Sequence, residues 1–126
     1  MEILKMILIS RCCTGSKCRY RHVGFYRKFV AKVAEFEDFI ALCPEQMGGL
    51  PTPREGCGII EGRAIGRKTG KDYTAPYLKG ARETLEICDS LNIKTAYLLK
   101  GSPSCGKGYG LTARLLEKHG IKVIPV

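Results

Sequence analysis

Thr95-Ala-Tyr-Leu-Leu-Lys-Gly-Ser-Pro-Ser-Cys-Gly-Lys-Gly-Tyr-Gly-Leu-Thr-Ala-Arg-Leu-Leu116 decides how this chain folds. Its first five residues form a short, continuous apolar run, the pattern of a strand covered on both faces. Gly101 to Gly110 is a glycine-rich turn around one cysteine, Cys105, and Leu111 starts a helical pattern. A strand, a turn and a helix in that order predict a βα unit. A helix start offers unpaired N–H groups, which bias a nearby cysteine towards its thiolate.

Working outward, the same grammar repeats. Ile3–Ile9 is a short apolar run followed by a loop with Cys12, Cys13 and Cys18. Phe25, Phe29, Val33 and Phe36 fall on one helical face. Phe39–Cys43 is a second buried strand, stopped by Pro44, and Glu45–Arg54 is a Gly- and Pro-rich loop. Cys57–Asp72 breaks into short apolar runs between glycines and predicts a hairpin or flap. Thr74 reads as the N-cap of a helix with Leu78, Ala81, Leu85 and Cys88 on its buried face, ended by Asn92. Gly120 reads as the residue after the last helix, and Ile121–Val126 as the last strand.

Alternating strands and helices predict an α/β fold, a small Rossmann-like three-layer sandwich. The expected sheet has four mainly parallel strands in the order 2-1-3-4, helices on both faces and the hairpin inserted. At 126 residues a single domain, 1–126, is expected. The topology has a chemical consequence. Cys12 follows strand one, Cys43 closes strand two and Cys105 follows strand three. Parallel strands share one carboxyl edge, where open α/β sheets bind ligands. Three cysteines remote in sequence are thereby expected to be neighbours.

Composition narrows the chemistry. No apolar run is long enough to span a membrane and no signal peptide is present, so a soluble, cytoplasmic protein is expected. Seven cysteines in a reducing compartment point to metal or catalysis rather than a disulfide framework. Thiolates suit zinc, copper(I) or iron–sulfur clusters. Zinc knuckles usually pair Cys-x-x-C, which is absent. A cubane with four cysteine ligands would recruit Cys18; with three, one iron stays open. Cys13 and Cys88 read as packing residues, and Cys57 and Cys18 are ambiguous. Glu45 is either an acid/base beside the crevice or a surface carboxylate. Ser102 and Ser104 either position a ligand or cap the turn. Gly101–Lys107 fits seven positions of a P-loop, but Gly108 stands where Ser or Thr should hold magnesium, and Pro103 lacks an N–H. Nucleotide hydrolysis is disfavoured; anion binding there stays open. A net charge of +9 makes an anionic partner such as RNA possible, although no RNA-binding signature is present.

Several stretches together resemble one family. Ser10-Arg-Cys-Cys-Thr-Gly-Ser-Lys-Cys-Arg-Tyr20 is similar to its opening pattern S-x-C-x-x-G-x-x-C-R-Y. Cys43-Pro-Glu45, Gly48-Gly-Leu-Pro-Thr-Pro-Arg54, Gly70-Lys-Asp-Tyr-Thr74, Ser102-Pro-Ser-Cys-Gly106 and Gly110–Leu116 follow in order. The family is domain-of-unknown-function family 523, which includes bacterial thiouracil desulfidase. Here the segment between Gly106 and the last helix is unusually short, and Cys13 and Lys17 are atypical.

The resemblance implies a [4Fe-4S] cluster on Cys12, Cys43 and Cys105 with one open iron. It implies catalytic roles for Glu45 and Ser102. The implied reaction is non-redox desulfuration of a thiocarbonyl such as thiouracil. An open iron binds the sulfur, water attacks the ring carbon with help from Glu45, Ser102 orients substrate or water, and hydrosulfide leaves. The implied partner is a small thiolated pyrimidine. The alternatives are thiouridine in tRNA, or a non-enzymatic iron–sulfur or zinc protein. An open cluster is exposed to oxidants, so its loss during aerobic preparation is expected.

Overall fold

A computed structural model describes residues 6–14 and 38–126. The expected helix at Phe25–Phe36, and Cys18, lie outside those residues.

Four short parallel strands make the sheet. They are β1 (Met6–Ser10), β2 (Asp38–Leu42), β5 (Thr95–Leu98) and β6 (Lys122–Pro125). The order is β2-β1-β5-β6. Counting the hairpin strands β3 (Cys57–Ile60) and β4 (Arg63–Gly66) turns the expected 2-1-3-4 into 2-1-5-6. The sheet is flanked by helices. Ile7, Leu8 and Ile9 on the central strand are buried in succession, as its continuous apolar run requires. The second strand is less buried than expected: it is an edge, and Asp38 and Phe39 are exposed.

Two helices, α2 (Thr74–Ser90) and α3 (Leu111–Lys118), pack against each other. The buried stripe of α2 runs through Tyr77, Ala81, Thr84 and Cys88. Leu78 and Leu85, expected on that stripe, are only partly buried, because the helix is turned to bury Tyr77 and Thr84. Thr74 is the first helical residue rather than the cap. Asp72 accepts its N–H at 2.8 Å, while its own hydroxyl accepts the N–H of Ala64 at 3.0 Å. Asn92 and Gly120 take left-handed conformations just past α2 and α3, as expected of chain reversals.

The loop expected after Cys43 opens instead with one helical turn, α1 (Pro44–Met47), Pro44 standing at its first position and Cys43 at its cap. Glycine fixes where this turn sits. A Cβ on Gly80 of α2 would lie 1.8 Å from the carbonyl oxygen of Pro44, and one on Gly48 would lie 1.9 Å from that of Pro76. Backbone thus meets backbone, which only glycine permits. Gly80→Ala is expected to lower unfolding free energy by about 1–3 kcal/mol and to displace Cys43 and Glu45. A melting curve read alongside activity checks this.

The hairpin turns through Glu61 and Gly62, both left-handed, a two-residue primed turn that matches strand twist. It is docked rather than loose: Cys57, Ala64, Tyr77 and Leu111 form a second small core between hairpin, α2 and α3.

Candidate active site

Cys12, Cys43 and Cys105 line one pocket at the carboxyl edge of the sheet, together with Glu45, Arg54 and Ser102. Each cysteine arrives by its own route. A short 3₁₀ turn, Arg11–Cys13, carries Cys12 off the end of β1. Cys43 ends β2 at the cap of α1. Cys105 lies in the loop after β5, and the Ser10 hydroxyl reaches both that thiol and the N–H of Leu99, the latter at 2.9 Å. Cys13, next to Cys12, is buried in the main core and does not line this pocket, nor does Cys88, whose thiol burial pushes up to about 11.

The helix N-terminus does not act on Cys105 as its sequence position promised. Five residues lie between Cys105 and Leu111. The first N–H groups of α3 are already taken: Leu111 donates to the carbonyl of Pro103 at 3.0 Å, and Thr112 and Ala113 donate to that of Ser104 at 2.9 and 3.0 Å. Within the P-loop-like stretch the N–H groups of Ser104 and Cys105 go to the Ser102 hydroxyl and that of Gly106 to the Ser102 carbonyl, so these three cradle no anion. Lys107 turns away, donating to the carbonyl of Val123 at 3.0 Å. Cys105 is instead a fully buried thiol, and burial raises its pKa far above the ordinary range.

That environment fits a metal better than a free thiolate. A buried thiol resists ionisation until a cation is bound beside it, and a coordinating thiol is deprotonated outright. Among the described residues, no three His, Cys, Asp or Glu side chains are placed to hold a single ion. A cubane takes each cysteine on a different iron, so its ligands stand farther apart than those of one ion. The pocket that the three thiols line is small, about 20 Å³.

Beside the thiols lies a polar constellation that sequence reading saw only in part. Glu45, in the first turn of α1, accepts from Arg54 Nε at 3.2 Å on Oε1, and Tyr77 donates its phenol to the same oxygen. Arg54 reaches on: Nη1 donates to Thr52 Oγ1 at 3.0 Å, and Nη2 points at Cys43 Sγ at 3.9 Å. The pair is secluded, the Arg54 side chain being 4% exposed and that of Glu45 13%. Burial opposes the charge on Arg54, but Glu45 and Cys43 outweigh it and the pKa is raised. Tyr77 is pushed far up, first by burial and then by Glu45, so it stays a neutral donor. Nothing in the sequence announced Tyr77. Arg54 closes the Gly48–Arg54 motif, which was the one available signal.

Ser102 Oγ accepts the N–H groups of Ser104 and Cys105, both at 3.1 Å. It therefore caps the cysteine loop, and with both lone pairs engaged it can offer the site only its proton. Ser104 does not share this: its hydroxyl is buried and has no hydrogen-bond partner among the described residues.

Glu45, Arg54 and Ser102 also face a second space, a cavity of about 440 Å³. The hairpin forms its outer wall with Cys57, Arg67 and Lys68. The thiols and this cavity therefore share one set of polar residues.

Residues 7–125 match the 2-thiouracil desulfurase family. The chain belongs to that family. A solved structure of "[4Fe-4S]-dependent thiouracil desulfidase TudS" is similar, with a TM-score of 0.88 and 31% identity over 96% of this chain and 90% of that one. The uncharacterized protein YbbK of Bacillus subtilis (strain 168) is 33% identical over 142 aligned residues, 94% of each chain. As a member of the 2-thiouracil desulfurase family the chain has the expected α/β fold. No helix among the described residues is long and apolar enough to cross a membrane.

Proposed function

We propose that this chain is a [4Fe-4S]-dependent desulfidase that hydrolyses the carbon–sulfur bond of a thiolated pyrimidine such as thiouracil. One observation carries the reading. Three cysteines from three strand ends line one pocket, and the residues beside them, Glu45, Arg54 and Ser102, also line a cavity with room for a substrate. Cys12, Cys43 and Cys105 would hold the cluster. When bound, it supplies an iron with an open position, a Lewis acid for a thiocarbonyl sulfur.

The chain's own residues do the rest. Arg54 and Tyr77 both occupy Oε1 of Glu45, while Oε2 takes no hydrogen bond from any described residue. In this reading Oε2 is the oxygen that meets the attacking water. Glu45 takes a proton from that water as it attacks the ring carbon, and returns it as the carbon–sulfur bond breaks. Ser102 donates its hydroxyl proton to orient substrate or water. One water is consumed, a thiocarbonyl becomes a carbonyl, and hydrosulfide leaves, with no net oxidation.

The test is anaerobic reconstitution with iron and sulfide, followed by 2-thiouracil. Sulfide and uracil in equal amounts are expected. Loaded protein that releases neither from thiouracil nor from 4-thiouracil would contradict the reading.

A second reading, thiouridine within tRNA, is favoured by the net charge of +9 and by Arg67 and Lys68 on the cavity wall. Phosphate contacts make such binding strongly salt-dependent. Thiouracil turnover that is flat in salt, beside tRNA turnover that collapses with salt, would mark both substrates as genuine.

A further inference from the structure

The substrate cavity has one wall that should not hold itself. The hairpin β3–β4 has four cross-strand pairs, and its tip residue Ile60 is 58% exposed. A lone two-stranded hairpin is marginal in water. At one side it is held by the small core under Cys57 and Ala64. The turn that follows it, Arg67–Gly70, brings Arg67 and Lys68 to the cavity and has no apolar anchor: all four of its residues are exposed.

That turn closes on itself through the Gly66 N–H to the Lys71 carbonyl at 2.8 Å and the Gly70 N–H to the Gly66 carbonyl at 2.9 Å, and one carboxylate ties it to the Arg54 loop. Glu55 Oε1 accepts the backbone N–H groups of Lys68 and Thr69 at 2.7 and 2.6 Å. Its Oε2 accepts the Thr69 hydroxyl at 2.8 Å and the Tyr73 phenol at 3.0 Å. A seat is reserved for it: a Cβ on Gly66 would fall 2.5 Å from the carboxyl carbon and both oxygens. One more backbone bond, Arg67 N–H to the Gly56 carbonyl at 2.9 Å, continues the grip. Glu55 directly follows Arg54, the partner of Glu45.

We propose that Glu55 is a positioning residue of the desulfidase site, a clamp that fixes the Arg67–Gly70 turn against the Arg54 loop and so sets the width of the substrate cavity. This rests on the reading of that cavity as the substrate site. The Thr69 N–H, with the other donors, holds the Glu55 pKa down to about 2, so the clamp is charged at any working pH. Glu55 acts through the wall it holds, so its loss falls on substrate binding rather than on the bond-breaking step.

The test uses three variants of the full, reconstituted chain. In Glu55→Ala the amides of Lys68 and Thr69 should lose protection from hydrogen exchange while those of β1 and β5 keep it. KM for thiouracil should rise about tenfold with kcat within about twofold. Glu55→Gln keeps an acceptor oxygen and should fall between wild type and Glu55→Ala. Gly66→Ala keeps Glu55 in the chain but fills the seat of its carboxylate, and should reproduce Glu55→Ala; it also carries the test if Glu55→Ala does not fold. Retained protection in Glu55→Ala and Gly66→Ala overturns the clamp. So does lost protection with unchanged KM, or a fall confined to kcat. The exchange measurement needs no turnover, so wild-type protein that releases no sulfide would sink the desulfidase reading and still leave the clamp to be decided.

Discussion

Glu45→Gln is expected to lower kcat for thiouracil by about two to four orders of magnitude, the usual worth of a positioned acid/base. Glutamine has the shape of glutamate, and its carbonyl oxygen can still accept from Arg54 and Tyr77, which now meet at Oε1. What it lacks is an oxygen that can take a proton from water. The loss should therefore fall on kcat, with KM and cluster content close to wild type. Steady-state kinetics on protein of equal iron content check it. A kcat within tenfold of wild type would remove Glu45 from the reaction and leave it a structural partner of Arg54.

Arg54→Met has the second large effect, and it falls first on stability. Removing one partner of a secluded ion pair leaves the other charge without compensation, at a cost of about 3–5 kcal/mol. Glu45 would keep the Tyr77 phenol but no cation, and Cys43 would lose the guanidinium 3.9 Å away. The Arg54→Met, Glu45→Gln double variant should recover part of the stability lost in Arg54→Met, because no charge is stranded. Denaturant unfolding of the four proteins in this cycle gives the coupling. A double variant no more stable than Arg54→Met would show that the pair's worth lies in packing.

The sheet and the gathering of Cys12, Cys43 and Cys105 were legible because both follow from chain order. Apolar runs mark strands, parallel strands share an edge, and whatever follows each strand arrives there. The clasp of Arg54, Tyr77 and Glu45 was not legible. Its members meet across separations of 9 and 32 residues, by side-chain reach rather than by periodicity. On the buried face of α2, Ala81 and Cys88 were read correctly but Leu78 and Leu85 were read in place of Tyr77 and Thr84, because leucine outweighs threonine in any apolar pattern. In the fold Thr84 is buried instead, its hydroxyl satisfied by the carbonyl of Gly80 at 2.8 Å. The thiolate bias assigned to Cys105 failed for a related reason. A helix start is only an anion site while its N–H groups are open, and here the loop's own carbonyls close them. Glu55 resembled any loop carboxylate until the turn that it holds was in view.

The central claim is that Cys12, Cys43 and Cys105, and no other described cysteine, hold one cluster. Iron and acid-labile sulfide per chain after anaerobic reconstitution test it most directly, in the wild type and in single Cys→Ala variants. The expected result is about four iron atoms per wild-type chain, retained in Cys57→Ala and Cys88→Ala and lost in Cys12→Ala, Cys43→Ala and Cys105→Ala. Full loading of Cys105→Ala, or loss on replacing Cys88, would contradict it.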